Sequence, residues 1–95
     1  MIDLNQLAQD AYGCALRRKK TTSSVNHIAS ARSIEEELAE FLDANEIHDS
    51  IHIPYPEAQE ELADILIVCL TELHKRGANV EAIIIDKINI NKHRD

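Results

Sequence analysis

Four carboxylates set the chemistry this chain is equipped for. In Glu36-Glu37-Leu38-Ala39-Glu40 and again in Glu60-Glu61-Leu62-Ala63-Asp64, two acids stand three residues apart. At roughly 100° per residue in a helix, Glu37 shares its bearing with Ile34, Phe41 and Ala44, and Glu61 shares its bearing with Ile65 and Val68. Glu40 and Asp64 follow about 60° to one side. An ionised acid set among apolar neighbours costs several kcal/mol unless something positive compensates it. Solvated salt bridges account for Glu35, Glu36 and Glu60, but not for Glu37 and Glu61. Two helices that each turn an i, i+3 acid pair inward form a hard oxygen-donor set. With no cysteine among the donors, the expected ion is Mg²⁺, with Mn²⁺ as a substitute, rather than zinc.

A second constellation is chemically opposite. Lys87, Asn91 and Arg94 fall within about 60° of one another if the C-terminal stretch is helical, which places two cations and an amide on one face. Magnesium usually keeps substrate phosphates in its shell, so a metal flanked by cations suits a phosphate chain. His48, Asp49 and His52 have neither a cysteine partner nor structural zinc spacing, and read as solvated loop residues.

The elements that must carry these groups are helical. Residues 3–18 place Leu4, Leu7, Ala8, Ala11, Tyr12, Ala15 and Leu16 at three-and-four spacing, with Gly13 weakening the helix slightly and Arg17-Arg18-Lys19-Lys20 at its end. Those four cations complement the helix dipole or attract a polyanion. Thr21 to Ser24 form a polar hinge before a second helix, which starts near Ser24 or at the capping box Ser33-Ile34-Glu35-Glu36. The stripe Val25, Ile28, Ala31, Ile34, Leu38, Phe41, Leu42 favours one helix over about 24–45.

An ordered loop follows to Tyr55, and a third helix is expected from Pro56 to about Arg76 with Gly77 as its left-handed cap. The run from Ile65 to Leu70 is apolar on every bearing, so other helices, some from a second subunit, are expected to enclose it. Asn79 caps a last helix carrying Val80, Ile83, Ile84, Ile88 and Ile90. The fold class is all-α, a four-to-five-helix bundle in a single domain over 1–95, completed by self-association as a homodimer or homotetramer.

Composition narrows the function classes. Seventeen acidic against ten basic side chains give a net charge of −7, the wrong sign for a general nucleic-acid binder. No apolar run approaches the roughly 20 residues of a membrane span, and the N-terminus lacks a signal-peptide layout, so a cytoplasmic location is expected. Cys14 and Cys69 read as reduced core residues rather than a disulfide.

The order E-E-L-A-E, a spacer, E-E-L-A-D with an apolar run, then K-x-x-x-N-x-x-R resembles the MazG-type branch of the all-α nucleoside triphosphate pyrophosphohydrolases. The likeness covers residues 33–94; over the first thirty it is only helix for helix. It implies an oligomeric bundle that cleaves a nucleoside triphosphate substrate to the monophosphate and pyrophosphate. It further implies that Glu37, Glu40, Glu61 and Asp64 hold magnesium, with Glu40 and Glu37 catalytic and Glu40 taking the proton from the attacking water. Lys87 and Arg94 are then expected on the phosphates, Asn91 on phosphate or sugar, and His27 near the base. Such pockets often carry an aromatic, for which only Tyr12, Phe41 and Tyr55 stand as candidates. The alternative from the residues alone is a non-catalytic helical dimer that uses its acidic surface to bind a basic partner.

Overall fold

The computed structural model describes residues 1–94, and over them the chain is all-α: four helices and no strand. They are α1 (Leu4–Arg17), α2 (His27–Leu42), α3 (Glu57–Lys75) and α4 (Val80–Lys92). The chain divides into two compact units, Met1–Val25 with Leu70–Asp95, and Asn26–Cys69, and α3 contributes to both.

In the first unit, α1 starts where Asp3 accepts hydrogen bonds from the backbone N–H groups of Asn5 and Gln6, satisfying two donors that a helix start leaves without partners. It ends in a left-handed cap: Lys19 has φ +57°, and the Lys20 N–H reaches back to Ala15 O at 2.9 Å. Packing is apolar: Ala8, Leu70 and Val80 are buried together, with Leu4, Leu73 and Ile84 packed against them. Helix α1 lies on α4. Gly77 takes φ +70° after α3, as expected of a C-terminal glycine. The start of α4 is capped twice. Asn79 Oδ1 accepts from Ala82 N–H at 3.2 Å, and Asn5 Oδ1 accepts from Val80 N–H at 2.7 Å, while Asn5 Nδ2 donates to Asn79.

In the second unit, α2 is shorter than the 24–45 expected from its apolar stripe. Asn26, rather than Ser24 or Ser33, is the cap: its Oδ1 accepts from Ala29 N–H at 3.0 Å, so the helix begins at His27. Ser33 sits in mid-helix, where no orphan N–H needs a capping box. At the other end the Ala44 N–H bonds Phe41 O, closing the helix in a tight turn after Leu42.

Residues 43–56 form a loop tied to the first turn of α3. The carbonyls of His48 and Asn45 accept from Glu57 and Ala58 N–H, both at 2.9 Å, and Asn45 N–H donates to Glu57 Oε1 at 3.1 Å. These bonds satisfy donors that α3 itself leaves open. Cys14 is exposed rather than a core residue, because it lies off the stripe centred on Ala8; Cys69 is half-buried, and the two form no disulfide. Among the described residues, no helix is long and apolar enough to cross a membrane.

Candidate functional site

The Asn26–Cys69 unit turns acids as well as apolar side chains toward its covered faces. On α2 the covered side carries Ser30, Ser33, Glu37 and Phe41, while Ile28, Leu38 and Leu42 are exposed. On α3 the covered side carries Glu61, Asp64, Ile65 and Val68, while Leu62, Leu66 and Ile67 are exposed. The helical bearings put acids on the inner faces because Glu37 shares its row with Phe41 and Glu61 shares its row with Ile65.

Those inner faces meet at the four acids. Glu37, Glu40, Glu61 and Asp64 each offer one carboxylate oxygen, and the four oxygens lie within 4.8 Å of one another. Glu37, Glu61 and Asp64 are half-buried and Glu40 is exposed. The arrangement is electrostatically costly. Burial, then the charges of Glu40 and Asp64, a hydrogen bond with Glu40 and the charge of Glu61 push the Glu37 carboxyl up to about 7. The Glu61 carboxyl is pushed up for the same kinds of reason: burial first, then the charges of Asp64, Glu40 and Glu60. The Glu40 contact does not reach Oε2 of either residue. Both of those atoms are buried and have no hydrogen-bond partner.

A buried carboxylate oxygen without a donor costs about 1–3 kcal/mol or more. Two such atoms on facing helices, in a set of hard oxygen donors, fit a divalent cation better than they fit any other group on the chain. The donor set lacks sulfur and imidazole, which disfavours zinc.

Glu60 is the neighbour that sequence reasoning placed in solvent. Its side chain is only 19% exposed: Ser50 Oγ donates to Oε1 at 2.6 Å, and His52 Nδ1 lies 3.3 Å from Oε2. The loop thus engages Glu60, leaving the acids at the next positions, Glu61 and Asp64, for the cluster. No local signal marks Ser50 as a partner of an acid ten residues away. His52 is mostly exposed, as expected of a loop histidine, but it is paired.

Of the residues expected on the substrate, His27 is the first residue of α2, exposed and outside the four-acid set. Lys87 and Asn91 are exposed on α4. The helix stops at Lys92 with His93 as cap, so Arg94 lies beyond the regular face that sequence spacing gave it; its N–H bonds Asn91 O at 3.3 Å. These three belong to the other unit. Of the candidate aromatics, Tyr12 is half-buried on α1, Phe41 is half-buried on α2 and Tyr55 is exposed in the loop.

No protein-family profile, curated protein or solved structure matches the chain.

Proposed function

We propose that the protein is a magnesium-dependent nucleoside triphosphate pyrophosphohydrolase, with its metal held by Glu37, Glu40, Glu61 and Asp64. The observation that carries this reading is the convergence of four carboxylate oxygens within 4.8 Å, with Oε2 of Glu37 and of Glu61 buried and lacking hydrogen-bond partners. The metal would neutralise phosphate charge and lower the pKa of water, with Mn²⁺ able to replace Mg²⁺. Glu37 must release its proton when the ion binds, since ligands bind a metal deprotonated.

Glu40, the exposed member of the set, has the solvent access that a proton acceptor needs and is assigned the proton of the water attacking the α-phosphorus. The MazG resemblance would put Lys87 and Arg94 on the phosphate chain, Asn91 on phosphate or sugar, and His27 near the base. The location is cytoplasmic, and the role is removal of unwanted nucleotides from the pool.

Self-association belongs to the same reading. Leu42 is 74% exposed, Leu62 51% and Leu66 55%, and large apolar side chains left exposed in this number are what a partner face would cover. A homodimer or homotetramer covers it. The alternative, a non-catalytic helical dimer that binds a basic partner through its acidic surface, does not account for the buried, unpartnered oxygens of Glu37 and Glu61.

The test is a pyrophosphate-release screen over ordinary and modified nucleoside triphosphates with Mg²⁺. Release of pyrophosphate rather than orthophosphate from one of them, abolished in Glu61→Gln, is the expected result. A folded protein that leaves the whole panel intact contradicts the enzymatic reading.

A further inference from the structure

Gly13 sits in the interior of α1, where a glycine costs about 1 kcal/mol relative to alanine. Packing does not require it. A Cβ placed there meets nothing closer than Arg17 Nη1 at 3.5 Å, an ordinary contact, and the glycine is not a positive-φ residue. What the missing side chain leaves is the floor of an open hollow of about 600 Å³ in the first unit, lined by Gln9, Asp10, Tyr12, Gly13, Arg17 and His74.

The walls of this hollow are chemically differentiated. Tyr12 and His74 form a tilted ring pair, with centroids 5.2 Å apart and planes at 40°, that puts two aromatic rings on the wall of the hollow. Arg17 runs back along the helix over Gly13. One of its N–H groups donates to Cys14 Sγ at 3.1 Å, a weak acceptor, and the rest of the fork remains for an anion. Because the side chain points toward the N-terminus, its charge sits ahead of the carbonyl end of the helix, whose partial negative charge opposes anions.

Asp10 already accepts from Gln6 Nε2 at 3.0 Å and has a second oxygen for a ligand hydroxyl or amino group. Gln9 supplies both a donor and an acceptor. Tyr12 immediately precedes Gly13, over which the Arg17 guanidinium lies, and all three line the hollow. That placement suits a compact ligand that carries both a ring and an anionic group.

We infer that this hollow binds a planar heteroaromatic ring carrying a phosphate, of the nucleoside monophosphate class, with the ring against Tyr12 and His74, the phosphate on Arg17, and Gly13 absent of side chain to admit it. The site shares no residue with the four acids and needs no metal.

Calorimetric titration of the full chain in EDTA with the four common nucleoside 5′-monophosphates and their parent nucleosides tests it. At least one monophosphate binds with a submillimolar Kd, and its nucleoside binds about tenfold more weakly. Gly13→Ala melts at or above the parent temperature yet loses about tenfold in affinity. Arg17→Gln erases the difference between monophosphate and nucleoside. Glu61→Gln leaves the Kd unchanged, so a failed pyrophosphate-release screen does not touch this result. Absence of binding by all four monophosphates at millimolar concentration overturns the inference, as does parent-like affinity in Gly13→Ala or in Arg17→Gln, or a Kd that moves in Glu61→Gln.

Discussion

The two units solve the problem of an interior in opposite ways. In the unit formed by the chain's two ends, Ala8, Leu70 and Val80 are nearly or fully removed from solvent and polar groups are satisfied, down to the doubly capped start of α4. In the Asn26–Cys69 unit, the inner faces carry carboxylates with buried oxygens that lack partners, while Leu38, Leu42, Leu62 and Leu66 face outward. Apolar burial stabilises the first by about 25 cal/mol per Å². Like charges held close destabilise the second until something compensates them. On the proposed metal reading, the contrast teaches that the second unit gives up stability of its own to hold a ligand, a pattern expected where local rules fail at a functional site.

The comparison can be broken most sharply at Glu61. Glu61→Gln is expected to lower pyrophosphate release by about 100-fold or more, since even the outer partners of metal ligands are worth 10–100-fold. The same change is expected to raise the melting temperature of the metal-free protein, because it removes one of the repelling charges. If activity and stability fall together, the acids are structural and the contrast between the units collapses.

Leu70→Ala probes the other side. It is expected to cost about 2–5 kcal/mol in a denaturant melt, whatever the magnesium concentration. Leu66, on the same helix but 55% exposed, provides the control. If the proposed homodimer or homotetramer uses this face, Leu66→Glu is expected to yield the monomer in light scattering, whereas a parent that is itself monomeric contradicts the partner face.

Smaller still is Asn5→Ala. Removing the bond to Val80 N–H costs about 1 kcal/mol, the typical worth of a capping side chain.

Acid pH sharpens the comparison without mutation. The Glu37 carboxyl is raised from 4.5 in the unfolded chain to about 7 in the fold. The folded state therefore binds this proton more tightly than the unfolded state does. The associated stability is fully present below pH 4.5 and is lost as pH rises through 7. Metal-free protein is thus expected to melt progressively higher as the pH is lowered from 8 to 5. With magnesium the trend from this group reverses, because protons compete with the ion. Thermal melts at the two pH values, with and without Mg²⁺, check the sign.

Much of this was legible from residue spacing. The bearing of Glu37 with Phe41 and of Glu61 with Ile65 follows from the helical period alone, and the structure does turn both acids inward. Gly77 and Asn79 punctuate the last turn as their chemistry dictates. The start of α2 was misread because Ser24, Asn26 and Ser33 are all competent caps, and propensity cannot rank them; the carbonyl and side chain of Asn26 decide it by bonding Ser30 and Ala29. Asn5 capping Val80 and Ser50 holding Glu60 were invisible for a different reason. Each bond joins residues distant in sequence, and no local pattern encodes the meeting. Cys14 was expected inside because cysteine is usually buried, yet its bearing on α1 places it outside the stripe.

The most direct measurement is the melting temperature of the parent protein and of Glu61→Gln as Mg²⁺ is titrated. A cation that binds only the folded state must raise the midpoint by mass action. The parent is expected to start lower than Glu61→Gln without metal and to climb steadily with it, while the variant stays level. A parent midpoint that does not move up to millimolar Mg²⁺ or Mn²⁺ contradicts the claim that the four carboxylates are a metal site.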